Sequence, residues 1–239
     1  MVFVPLCAYA QQEGTADIKP FYSPYEEITK LHVLRPATTP EQIGMAFLKL
    51  SDLQPDFTKW AALTPKSQSV PEYDRDIVAL QELSRLQNEY ENLDIEEPLV
   101  IRTLVEMRNF SAAQEILFLN EIGPRTYFKF NAYDLPIVIL PRGLAQFSKL
   151  KLPPREADFV FERQRGRDNA ILELAVVPER VVTERTVTLN NGDFYPIVAR
   201  IAQFSLWTHE EDSTMMWTYR APWFEGKNQD RDLLNLYVK

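Results

Sequence analysis

The sequence predicts an α+β fold, with helices in its first half packed on a mainly antiparallel β-sheet formed by its second half. Three observations carry this. A helix-capping signature opens at Thr39. Apolar residues recur at helical spacing from Ile77 to Leu93. From Leu99 onward, β-branched and aromatic residues gather in short runs bounded by glycine, proline and asparagine.

Taken in order, residues 1–10 read as the remnant of a secretory signal: a short apolar stretch, the helix-breaking Pro5, then small residues at Ala8 and Ala10. Cleavage after Ala10 would remove Cys7 and leave residues 11–239 as one exported, cysteine-free α+β domain. Residues 11–38 are polar and proline-bearing, without sustained periodicity, and read as an irregular arm whose aromatic run, 20–25, packs on the body.

Thr39-Pro40-Glu41-Gln42 places an N-cap threonine before an N1 proline with Gln42 at N3, opening a short helix to about Asp52. A second short helix fits 57–63, and 64–70 reads as a turn-rich joint. Pro71 opens a long amphipathic helix to about Asp94, because Ile77, Leu80, Leu83, Leu86, Tyr90 and Leu93 recur every three or four residues. That spacing predicts a core-packed stripe opposite an acidic, solvated face.

Strands follow at 99–107, 115–119, 126–130 and 136–140, and 142–151 is a helix or an irregular crossing. Residues 157–163 and 170–177 read as two strands joined by a hairpin over 164–168, with Gly166 available for positive φ. Asn190-Asn-Gly-Asp193 is a hairpin turn between strands at 186–189 and 194–207. A turn over 209–213 leads into the strand at 214–220.

The net charge of −8 argues against nucleic acid, whose binding rewards a basic footprint. The charge is unevenly placed, since 71–97 carries nine acidic and two basic residues while 142–167 carries seven basic and three acidic. No stretch after residue 10 approaches the roughly 20 apolar residues of a membrane span.

No glycine-rich phosphate loop, H-E-x-x-H or G-x-S-x-G motif is present, so no cofactor and no metal are expected. His209-Glu210-Glu211-Asp212 is the densest titratable set, but consecutive residues converge only in a turn, and a polar hairpin tip explains them better than a catalytic or metal site does. Two binding candidates remain. Arg163, Arg165 and Arg167 cluster around Gly166, and guanidinium groups grip carboxylates and phosphates bidentately. Trp217, Tyr219 and Trp223 lie in an aromatic-rich stretch whose flat rings serve either core packing or ligand contact; Trp223, after Pro222, is the ring most open to solvent by this reading.

The sequence therefore points to an exported, periplasmic or secreted, non-catalytic binding or accessory domain of a bacterial cell envelope. Its expected partner is another envelope protein or an anionic or glycan ligand. The alternative is an envelope hydrolase, glycan- or peptide-directed, using a carboxylate pair or His209 as general base. Glycosidase carboxylates need no local motif, so the two readings separate on the geometry of the site.

Overall fold

A computed structural model of the chain describes residues 34–107, 109–189, 192–209 and 213–224. The expected signal remnant, Cys7 and the arm up to residue 33 lie outside the described residues, as do Asn190 and Asn191 of the expected hairpin turn.

Helix α1, Pro40–Leu50, begins as its sequence dictates. The Thr39 hydroxyl accepts the Gln42 amide at 3.2 Å, and the Gln42 side chain accepts the Thr39 amide at 3.0 Å. Its run from Ile43 to Leu48 is buried. A Cβ on Gly44 would lie 2.4 Å from the Ala132 Cβ, so only glycine lets α1 come this close to the sheet.

Helix α2, Phe57–Leu63, is capped by Asp56 and buries Phe57 and Trp60. The stretch 64–70, expected as a turn-rich joint, instead holds a short helix, α3, Pro65–Ser69. The reason is the grammar of α1 repeated: the Thr64 hydroxyl accepts the Ser67 amide at 3.2 Å, with proline at the first helical position.

The long helix appears as α4, Arg75–Asn92, behind a 3-10 turn at Glu72–Asp74. Its apolar stripe is used only in part. Leu86 is fully buried and Leu83 and Tyr90 pack on the core, yet Ile77 is 59% and Leu80 65% exposed. The helix packs on α2 and α3 through the line Glu82, Leu86 and Tyr90, which turns the earlier apolar positions toward solvent.

Glu82 is consequently buried, and Arg85 and Lys66 pair with it at 2.9 and 3.2 Å. Burial alone would push its carboxyl up, but the hydrogen bonds from Arg85 and Lys66 hold it below the usual carboxylate value. A depressed folded-state value contributes stability above the unfolded value, and that contribution is lost as pH falls through the folded value. The thermal midpoint of the native protein is therefore expected to fall more steeply between roughly pH 5 and pH 3 than that of Glu82→Gln. Parallel slopes in a pH series of melting curves would contradict this.

Among the described residues ten strands follow: β1 Leu99–Glu106, β2 Asn109–Ser111, β3 Ile116–Phe118, β4 Phe128–Ala132, β5 Leu135–Arg142, β6 Lys149–Lys151, β7 Asn169–Val181, β8 Val187–Leu189, β9 Gly192–Thr208 and β10 Met215–Arg220. The main sheet runs β1-β7-β9-β5-β4, with β8 and β10 also paired to β9. The fold is α+β, but the sheet is mixed rather than mainly antiparallel, because β5 and β9 pair in parallel from Ile137↔Tyr195 to Arg142↔Arg200. Between them the chain makes a long excursion through a 3-10 turn (Leu144–Ser148), β6, a helix and β7, and such a crossover permits parallel pairing. Strands β2, β3 and β6 form a separate small sheet, so the C-terminal part is not one sheet.

The helix on that excursion is α5, Pro154–Gln164, which corrects the strand expected at 157–163 and confines the helices no longer to the first half. Pro154 sits in its first turn, and buried Ala157, Val160 and Gln164 recur at spacings of three and four. The expected hairpin at 164–168 is accordingly a helix end, with Arg165 at φ 52° and Gly166 at φ 74°.

Strand β9 organises both faces of the sheet. One face, with Ile197, Ala199, Ile201, Phe204 and Leu206, belongs to the large core shared with α1, α2 and α5. Residues paired across β7 and β9 place Glu173, Gln203, Ser205 and Trp207 on the other face. That second face carries a buried polar chain: Arg35 grips Glu173 through Nε and Nη2 at 3.1 and 2.9 Å, and Nη2 also donates to Gln203 at 3.1 Å. Gln203 donates to Ser205 at 2.9 Å, and the Ser205 and Thr218 hydroxyls bond at 2.8 Å.

Candidate functional site

The last turn of α5 meets the hairpin between β9 and β10, and there Glu162, Arg163, Arg165, Thr208 and Thr214 line a polar depression of ≈ 290 Å³. Each side chain has a local cause. Arg163 comes from the final turn of α5, where a cation complements the partial negative charge of the helix end. Its Nη1 nonetheless donates to the Met215 carbonyl of β10 at 2.8 Å rather than to a carbonyl of its own helix. The guanidinium stacks 4.1 Å over the Phe159 ring, one turn earlier.

Burial pulls the Arg163 guanidinium below its ordinary value, which marks a cation partly stripped of water. An anion entering the depression would restore that lost solvation. Thr208 is buried; its hydroxyl accepts the Thr214 amide at 2.8 Å, leaving its own proton to donate. The arrangement thus offers two guanidinium groups and a hydroxyl donor, with Glu162 as the acidic residue at the rim. Chemically this suits binding of a carboxylate or phosphate group.

Arg165 reaches the rim by adopting the left-handed conformation at φ 52°, which costs a non-glycine residue about 1 kcal/mol. Arg165→Gly is therefore expected to raise stability by about 0.5–1 kcal/mol in urea unfolding while weakening anion binding. Loss of both stability and binding would show that Arg165 serves the fold instead.

The residues singled out by sequence are only partly brought together. Arg163 and Arg165 share the depression, and Arg167 donates from Nη1 to the His209 carbonyl, tying the end of α5 to the start of the hairpin turn. His209 itself is exposed; Glu210, Glu211 and Asp212 lie outside the described residues. Trp217 is 2% exposed and packs edge-on against Phe204 at 6.0 Å, so it faces the core rather than a ligand. Tyr219 is half-buried, edge-on to Phe147 at 5.1 Å. Trp223 is 38% exposed at the far end of the sheet, away from the arginines of α5.

Thr208 and Thr214 escaped sequence reasoning. The available signal was their position on either side of the expected hairpin turn, opposite a segment whose sequence reads as a strand but which is the end of α5. Among the described residues, no group of three His, Cys, Asp or Glu is placed to hold a metal ion, and no helix is long and apolar enough to cross a membrane. The chain matches no protein-family model, no curated protein and no solved structure.

Proposed function

We propose that the protein is an exported, non-catalytic binding domain, an accessory component of a bacterial cell envelope, that holds an anionic group of its partner at the end of α5. The depression lined by Arg163, Arg165, Thr208 and Thr214 carries this reading. A pre-stacked, partly desolvated arginine beside a hydroxyl donor is arranged to recognise a carboxylate or phosphate at little ordering cost. Export is supported by the signal-like residues 1–10.

Affinity isolation of the tagged full-length chain from its native cells after mild crosslinking tests the proposal, with the double variant Arg163→Gln, Arg165→Gln run alongside. The expected result is one or two near-stoichiometric envelope proteins with the wild type and their loss with the variant. Recovery of the chain alone, or of the same partners with the variant, would overturn it.

A further inference from the structure

The second end of β9 carries a different arrangement. Strand β5 runs parallel to β9 and stops at Arg142, opposite Arg200; strand β10 runs antiparallel and stops at Arg220, opposite Gln203. The carboxyl ends of two strands thus meet on one edge of β9, two or three residues apart. From there the chain leaves β5 toward the large core, burying Leu144 and Phe147, whereas it leaves β10 toward the opposite face, burying Ala221 and Phe224 against Ala175 and Ala202. The two strands meet end to end along β9, and their exits to opposite faces leave a break in that edge of the sheet.

The side chains gathered at this fork suit one class of ligand. Arg142 and Arg200 flank Glu179, with Arg142 Nη1 at 3.5 Å and Arg200 Nε at 3.4 Å from its two oxygens. Glu179 reaches them from a β-bulge between Pro178 and Arg180, a device that re-aims a side chain out of strand alternation. The Arg200 guanidinium lies 3.6 Å over the Trp223 ring, which remains 38% exposed. The Arg142 and Arg200 side chains are themselves 69% and 43% exposed.

We infer that this fork, formed by Arg142, Glu179, Arg200 and Trp223, is a binding site for an acidic sugar residue, a uronate of a glycan. The guanidinium forks take the carboxylate, Glu179 accepts hydroxyl protons, and the flat Trp223 ring receives the apolar face of the sugar ring. Nucleic acid fits less well: single-stranded chains are held on several successive stacking rings along a continuous basic groove, whereas this fork offers one exposed indole and a carboxylate amid its arginines. The site is about 26 Å along β9 from the depression at α5, at about 3.3 Å per residue, and shares no residue with it.

Titration with tetragalacturonate, followed by tryptophan fluorescence and calorimetry, tests the inference. Trp60, Trp207 and Trp217 are buried, so the optical change reports Trp223. The expected result is saturable binding that weakens at least tenfold in Trp223→Ala, Arg142→Gln and Arg200→Gln, and comparably in Arg200→Lys, which keeps the charge but loses the planar fork. Lys151→Gln, an exposed cation on the separate small sheet, should bind as wild type, and melting curves confirm that each variant is folded. Absence of tetragalacturonate binding, equal binding of neutral maltotetraose, insensitivity to the fork variants, or preferential binding of a single-stranded oligonucleotide would each overturn the assignment.

Discussion

Replacing Arg35 with alanine is expected to destabilise the protein by about 3 kcal/mol, the lower end of the cost of breaking a buried ion pair. Glu173 is 1% exposed, and Arg35 supplies its backbone amide at 2.9 Å as well as two guanidinium bonds. Without the guanidinium, a carboxylate is left in the interior facing Gln203 and Ser205. Arg35 is a third exposed, so water reaches its outer edge and keeps the loss from the upper end of the range. Urea unfolding of Arg35→Ala measures the loss, and that of Arg35→Met, Glu173→Leu and the double variant Arg35→Met, Glu173→Leu measures the coupling. The double variant should recover most of the loss, because an apolar pair of similar volume needs no desolvated charge. A double variant as unstable as Arg35→Ala would locate the effect in the packing of residues 34–39.

Phe147→Ala is expected to cost about 3–5 kcal/mol, with Phe147→Leu costing clearly less. Phe147 is fully buried, stacks on Phe204 with centroids 4.4 Å apart and planes at 5°, and meets Tyr219 edge-on. It lies where the chain leaves β5, so its ring joins β9, β10 and the 3-10 turn in one contact. Truncation would leave a cavity that three different elements must collapse to fill, which they do poorly. A loss under about 1 kcal/mol in denaturant titration would contradict this packing.

Local rules made α1 legible before any tertiary information: a capping threonine with proline behind it and a glutamine at the third helical position. Most strands of the main sheet were legible from their β-branched and aromatic runs between turn residues, which fix position without fixing partners, but the short strands β2 and β6 were not. Pairing was not legible. Nothing local in 135–142 says that it lies parallel to 195–200, because the crossover that decides this is the intervening excursion over 143–191. Residues 157–163 misled because a short apolar-charged alternation satisfies strand and helix periods alike, and Pro154 with buried Gln164 settles it only in place.

The stripe of α4 misled differently. Periodicity identified the helix but not its rotation, and a paired glutamate took the buried line while Ile77 and Leu80 faced water. Of the site, the arginines were visible as a local cluster, whereas Thr208 and Thr214 join them only once the hairpin closes beside α5. Arg142, Glu179 and Arg200 were invisible as a group, being brought together by sheet register and a bulge.

We propose that the end of α5 is an anion-binding site. Its most direct test is a two-dimensional NMR titration of the full chain with inorganic phosphate and, separately, acetate, observing backbone amides and arginine Nε–H groups. Saturable shifts are expected at Arg163, Arg165, Thr208 and Thr214, abolished by Arg163→Gln with Arg165→Gln. Shifts that grow linearly with salt across the whole surface, or none at these four residues, would contradict it.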